Sequence, residues 1–416
     1  MRLRTSATVV AAAALLVAGP ATGVASATPA EAGAGPLAVQ SLPPGGGRLF
    51  DSVALDDHTL WAGGLRATPS ADGRTADETP LLLSRDDRDG RGWQEVPLPP
   101  ASGADNGQGD NEINSIAPVP GSRGHEAWVV GLADLSMGDG LPGHGAPGPI
   151  LADHWNGSTW QSLPVPLPAG SEFGGLTTVS AVASDDVWAV GWAQILDSYT
   201  PNPDKPGGGW IEDHMEALAV HWDGHAWTRV TMPDERSFLP NTMTALGPDD
   251  VWVAGYDSQN DVPQIRHWDG RAWTAEALPA TGLAGEVYQI GADASGALWA
   301  VGRTVLTDTD TGHALVLRRT GGRWQQVRMP DWAGQLNSFA VTPRGITAAG
   351  NDPRTGTGYA IRLDGAGRQR LPLPATDGPV LLGGVSYSAR QGLVLVGDTE
   401  PAGDPGAPTP LVIAGP

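Results

Sequence analysis

Between residues 177 and 192 the chain reads TTVSAVASDDVWAVGW. Small and apolar residues alternate up to Ser180-Ala181-Val182, Asp185-Asp186 breaks the run, and Val187 to Val190 opens a second one. Alternation bounded by turn residues predicts two strands of a half-buried sheet. Residues 216 to 233, EALAVHWDGHAWTRVTMP, predict two more, Leu218 to Trp222 and Ala226 to Thr231. Asp223-Gly224 stands between them, a pair that accepts the positive φ angles of a tight type I′ hairpin.

The phrase repeats. Trp-x-x-Gly or its substitute occurs at Trp61, Trp128, Trp188, Trp252, Trp299, Thr347 and Val394, at intervals of 67, 60, 64, 47, 48 and 47 residues. A basic unit in the forties fits a four-stranded propeller blade. The second hairpin recurs at Asp89-Gly90, Asn156-Gly157, Asp269-Gly270, Gly321-Gly322 and Asp364-Gly365. The seventh unit ends three strands long at Pro416, and PLAVQSLPP at 36 to 44 resembles the outer-strand phrase at 160 to 166. The expected fold is therefore all-β: a seven-bladed β-propeller of four-stranded antiparallel blades, closed by an N-terminal strand that completes the last blade. The expected blades run from about 47 to 99, 111 to 166, 175 to 233, 238 to 279, 285 to 330, 335 to 374, and 379 to 416 with 37 to 44.

Of 16 tryptophans, thirteen fall on second, third or fourth strands: 61, 128, 188, 252 and 299; 155, 222 and 268; 93, 160, 227, 273 and 324. Large flat side chains suit the widening wedge between neighbouring blades, so these positions are expected to be packing. His154, His221 and His267 each precede a third-strand tryptophan in a different blade and are expected to be structural rather than metal ligands.

On these repeats, residues 37 to 416 resemble a seven-bladed propeller of the broad WD40, kelch and BNR type. Gly157-Ser158-Thr159-Trp160 is similar to the end of the Asp-box of sialidase-type propellers, with Trp155 where the aspartate would fall, and WAVG with a following DG-x-x-W is similar to photosystem-assembly-type repeats. The sialidase likeness implies an arginine cluster, a nucleophilic tyrosine and an acidic partner, and no set of residues matches these one by one. Galactose-oxidase-type chemistry implies a cysteine crosslinked to tyrosine, and the chain has no cysteine.

Composition narrows the context. Residues 1 to 27 read as a signal peptide, with Arg2 and Arg4, an apolar run and the small-residue site Ala25-Ser26-Ala27, followed by a short linker to residue 36. The expectation is a secreted, extracellular protein without a membrane span. A single lysine among 25 basic residues points to a GC-rich genome such as an actinomycete's, and the net charge of −21 argues against nucleic acid as a partner.

Extra sequence marks where function could sit. Segments 66 to 80, 101 to 112, 132 to 150 and 193 to 214 lengthen the first three units and, in a propeller, emerge on one face. Long loops are expected there. Trp192, Tyr199 and Trp210 lie at or in the last of them beside Glu212, Asp213 and His214; Asp110, Glu112 and His144 lie in the neighbouring ones. Aromatic faces stack on a pyranose while carboxylates accept its hydroxyl hydrogens. These nine residues are the expected ligand site. Asp308 and Asp310 alternate like the start of a calcium loop but lack its later glutamate. No nucleophile elbow, zinc motif or phosphate loop is present. The leading expectation is a non-catalytic propeller that binds carbohydrate or a glycan-bearing surface. The rivals are a protein-binding scaffold or subunit of a secreted complex, and a glycan-acting hydrolase or lyase.

Overall fold

A computed structural model describes residues 36–69, 76–99, 111–133, 150–201, 209–307, 311–365, 367–400 and 408–415, with the backbone alone at 69, 76–77, 201 and 209–211. After β1 (Ala38–Val39), the first blade holds β2 (Gly46–Ala54), β3 (Thr59–Pro69), β4 (Ala76–Asp86) and β5 (Gln94–Glu95). The second holds β6 (Glu112–Pro118), β7 (Ala127–Leu132), β8 (Leu151–Trp155) and β9 (Trp160–Ser162). The third holds β10 (Ser171–Ala183), β11 (Asp186–Pro201), β12 (Gly209–Trp222) and β13 (Trp227–Arg229). The fourth holds β14 (Phe238–Gly247), β15 (Asp250–Asp257), β16 (Val262–Trp268) and β17 (Trp273–Ala275). The fifth holds β18 (Ala284–Ala292), β19 (Leu298–Val305), β20 (His313–Thr320) and β21 (Arg323–Gln326). The sixth holds β22 (Gln335–Thr342), β23 (Gly345–Asp352), β24 (Thr357–Asp364) and β25 (Gly367–Leu371). The seventh is β26 (Val380–Ser388), β27 (Gly392–Thr399) and β28 (Thr409–Gly415), with β1 on its outer edge.

Every sheet is antiparallel and four-stranded. Each first strand touches the first strands of both neighbouring blades, which closes a ring of seven. The closing strand pairs Ala38 with Ala414 and Val39 with Ile413. Among the described residues there is no helix.

The core is seven wedges rather than one centre. One buried cluster fills each blade junction, and at the first four junctions the second-strand tryptophan of one blade packs on an outer tryptophan of the next. Trp128 sits with ring centroids 5.3 Å from Trp222 and 5.1 Å from Trp227, and Trp188 reaches Trp268 at 6.0 Å and Trp273 at 6.2 Å. Each buried indole removes about 150–250 Å² from water, which explains why tryptophan marks the repeat. On its other side each of three tryptophans carries its own blade's histidine: His154 on Trp128, His221 on Trp188 and His267 on Trp252, with centroids 4.6, 4.6 and 3.9 Å apart. In the fifth blade Arg318 takes that place over Trp299.

All seven first strands carry a β-bulge at the same height, opposite the glycine of Trp-x-x-Gly. The residue after the bulge ties its blade to the next. Asp51 Oδ2 accepts the amide of Ile116 at 2.8 Å, Ser115 Oγ that of Val179 at 3.3 Å, Thr242 Oγ1 that of Ile290 at 3.3 Å and Ser338 Oγ that of Val385 at 3.1 Å. Gln289 accepts the amide of Phe339 in the same way. A hydroxyl pair between Ser52 and Ser386, 2.9 Å apart, spans the closing junction.

The outer hairpins correct one expectation. Trp222 pairs with Trp227, Trp155 with Trp160 and Trp268 with Trp273, so these connections have four residues, not two. Only the glycine has positive φ, and the preceding carboxylate or amide caps the turn: Asp223 Oδ1 accepts the amides of His225 and Ala226, each at 2.9 Å. A side chain that bonds two backbone amides competes with the tight turn and wins. Gly321-Gly322, with φ of 59° and 75°, closes in two residues, as does the sixth-blade hairpin, where Asp364 pairs with Gly367.

Candidate functional site

The connections from second to third strands and from each blade to the next lie on one face of the ring, here the upper face. Two of the expected loops on it are not loops. β3 and β4 stay paired to Pro69 and Ala76, and β11 and β12 to Pro201 and Gly209, so segments 66 to 80 and 193 to 214 continue their blades as two-stranded arms. Alternating side chains and ladder bonds carry these strands upward, with one register shift between Leu196 and Ser198; residues 70–75 and 202–208 lie outside the described residues. Asp110 and His144 lie outside the described residues, as do Asp308 and Asp310.

The third-blade arm distributes the expected site over two surfaces. His214 pairs with Ile195, and Asp213 with Leu196, so neighbours along β12 alternate between the arm's faces. Trp192 shares the face of Asp213 and stands edge-on to Phe173, with centroids 5.7 Å apart. Gln194 donates to Asp213, and Ser198 Oγ donates to Glu212 at 2.9 Å. His214 bridges Asp197 at 2.8 Å and Glu216 at 3.1 Å. Burial pushes the His214 imidazole down, but its bonds to Glu216 and Asp197 outweigh that and leave it raised. Tyr199 is half-buried and faces Ile211 across the arm, and the Trp210 backbone pairs with Thr200. Glu112 belongs to a different blade, opposite Leu132. The carboxylates therefore engage the arm itself and do not converge on Trp192.

A second set of residues was not anticipated. Directly above each bulge, one cross-strand pair forms the rung at the mouth of the ring: Arg48 with Leu65, Glu112 with Leu132, Gly175 with Trp192, Leu239 with Tyr256, Glu286 with Arg303, Gln335 with Asn351, and Leu381 with Asp398. The second member always follows the repeat glycine. Just below this level the second strands repeat a small apolar residue (Gly63, Val130, Val190, Ala254, Val301, Ala349, Val396), whereas here each blade differs. The sixth rung serves the fold, since Asn351 Oδ1 accepts the Leu382 amide at 2.9 Å. Asp398 in the seventh is only 5% exposed, and burial pushes its carboxyl to about 6 against the pull of Arg48.

The fifth rung is an ion pair. Arg303 Nη2 donates to Glu286 Oε1 at 2.8 Å. Burial nevertheless holds the Glu286 carboxyl above its ordinary range. Tyr256 and Tyr288 lie beside it, and burial raises both phenols. The signal for these residues was the position after the glycine, Tyr256 and Arg303 among them, which the repeat alignment itself isolates. Among the described residues no group of three metal-ligating side chains occurs.

No family model matches the chain, and no curated protein matches it. Solved structures do. A structure of YCF48 bound to D1 peptide superposes with a TM-score of 0.51 at 15% identity, covering 93% of this chain and 97% of that one. An ulvan lyase superposes at 0.44 with 12% identity over 87% and 90%, and a lectin from Aleuria aurantia in complex with Fucα1-6GlcNAc at 0.40 with 10% identity over 79% and 95%. At this identity the likeness establishes the propeller fold and nothing finer.

Proposed function

We propose that the protein is an exported, non-catalytic recognition propeller that binds carbohydrate through its upper face. The observation that carries this reading is the mouth rung, where the repeat abandons uniformity and presents Trp192, Tyr256 and a half-buried ion pair beside two projecting arms. Packing dominates the second strands below it, and a varied set of polar and aromatic side chains at the mouth is what a ligand-facing surface requires. Trp192 offers a half-buried aromatic face on which a pyranose can stack. The negative chain charge leaves neutral or glycan-bearing surfaces as partners rather than nucleic acid.

A secreted protein partner is the second reading. The peptide bound by YCF48 makes it a reasonable one for this fold, and the arms present strand edges to which an extended segment could add. A glycan array probed with the mature protein and with Trp192→Ala separates them. Glycan signal that falls about tenfold in the variant supports carbohydrate recognition at this face. A blank array combined with a partner that co-purifies replaces it with the protein-binding reading.

A further inference from the structure

The junction of the fourth and fifth blades gathers polar groups that the fold does not use. The side chains of Glu286 and Arg303 remain 22% and 35% exposed, so water reaches their ion pair. Tyr256 comes from the end of β15, and Tyr288 is the bulged residue of β18. Among the described residues neither hydroxyl has a hydrogen-bond partner, although both rings are half-buried. Neither hydroxyl is among the buried polar atoms, so both reach solvent and can meet a ligand.

Comparison around the ring shows that Tyr288 is not there for closure. At the same bulge, Asn114, Asn241 and Asn337 each donate to a carbonyl of the next blade, those of Leu176, Val287 and Leu382, at 3.1, 3.1 and 2.7 Å. Tyr288 makes no such bond. Because burial raises both phenols, both are protonated donors at neutral pH. Asp261 completes the set: its carbonyl accepts the Gly285 amide at 2.6 Å, which fixes the turn above the junction, and its charge is felt by Tyr256, Glu286 and Arg303.

The charges define the ligand. One cation faces two carboxylates, Glu286 and Asp261, on a chain of net charge −21, so an anion would enter against a negative field with Arg303 already engaged. A sugar hydroxyl both donates and accepts. It can donate to Glu286 and accept from a phenol or from Arg303, while a tyrosine ring covers an apolar patch of the pyranose.

We propose that Tyr256, Tyr288, Glu286 and Arg303 form a subsite for one neutral saccharide residue, one blade on from Trp192. This rests on the carbohydrate reading above and adds to it a second contact point and a preference for uncharged sugars.

The test is a saturation-transfer NMR titration of the mature protein with methyl glycosides of glucose, galactose, mannose, fucose and xylose, and with glucuronic acid. At least one neutral glycoside is expected to bind, with glucuronic acid about tenfold weaker or more. Tyr256→Phe and Tyr288→Phe each remove one hydroxyl and should weaken binding about tenfold without changing the melting temperature, while Trp192→Ala leaves monosaccharide binding in place. Neutral binding that survives both tyrosine changes, or glucuronic acid binding as tightly as the neutral sugars, overturns the subsite. If the array signal depends on Trp192 but not on either tyrosine, the broader reading stands and this one falls; no binding by any probe together with a blank array removes both.

Discussion

Gly131 and Ile113 face each other across the first two strands of the second blade, and a methyl group at Gly131 would stand 1.8 Å from the Glu112 carbonyl oxygen. The same holds at Gly191 and Gly302, where the obstacle is the carbonyl of Gly175 or Glu286 at 1.9 or 2.0 Å. The bulge pushes the first-strand backbone into the space a side chain would need. Gly191→Ala or Gly302→Ala should therefore cost about 3 kcal/mol, the upper end for overpacking, because backbone rather than a flexible side chain must move. Gly247→Ala, with nothing within 4 Å, is the control and should be neutral. Urea unfolding of the three variants checks this, and equal midpoints would remove the bulge as the reason for the repeat glycine.

What could be read from the sequence was whatever the ring uses seven times. Trp128, Trp188 and Trp252 recur because successive junctions have the same wedge to fill; the spacing of the whole repeat gives the blade number, and the three-strand last unit together with PLAVQSLPP gives the closing strand. The site residues obey the opposite rule. Glu286, Tyr288 and Arg303 occur at this junction alone, so no periodicity announces them, and only their height relative to the glycine does. The arms resemble loops in sequence because Pro201 to Gly209 is rich in turn residues, which masks the alternation of Gln194 to Leu196 on one side and Glu212 to Glu216 on the other. The Asp-Gly dipeptide gives the φ of glycine but not what the aspartate side chain bonds, so it does not set the turn length on its own.

Two buried carboxyls set a pH dependence. Asp153 is 2% exposed, and burial pushes it to about 6 against the bond to Ser162; Asp398 is also at about 6. Both lie above the ordinary 3.8, so between pH 4 and 6 the folded chain holds protons that the unfolded chain has released, and stability falls as pH rises. Above pH 6 each ionised group costs about 3 kcal/mol at most. Asp153→Asn keeps the shape and removes the charge. Its melting temperature should exceed that of the parent protein at pH 7.5 and match it at pH 4. Aspartates held low, such as Asp86 at about 2 beside Arg88, act in the opposite sense but equally in both proteins. A difference that does not vary with pH would refute the assignment.

Asp250 and Asp186 occupy equivalent positions but carry different loads. Asp250 Oδ1 accepts from Trp252 Nε1 at 2.7 Å and His267 Nε2 at 2.8 Å, whereas Asp186 Oδ1 accepts from His221 Nε2 at 2.8 Å, and Trp188 Nε1 is buried without a partner. Removing Asp250 strands an indole N–H that is otherwise bonded. Asp250→Ala should cost about 2 kcal/mol and Asp186→Ala about 1 kcal/mol or less. Chemical denaturation of the two variants decides it, and equal costs would mean that the Trp252 bond contributes nothing.

The ring closes through very little chain. β1 supplies two ladder pairs, Gln40 adds an amide bond to the Val412 carbonyl at 2.8 Å, and Leu37 packs against the sixth-to-seventh cluster. Ala38 and Val39 are exposed, so their burial contributes little, and the energetic loss on removing residues 36–40 should be modest, about 1–3 kcal/mol. The larger consequence concerns β28. Its outer edge, Thr409–Gly415, carries Leu411, Val412 and Ile413, and without β1 it presents unpaired backbone to other molecules. Such an edge pairs with its own kind. A chain beginning at Ser41 should therefore keep its strand content by circular dichroism, melt slightly lower, and elute from a sizing column as dimers and larger species at concentrations where the full chain is monomeric. A shortened chain with the same elution volume and melting temperature as its parent would show that closure of the ring does not depend on β1.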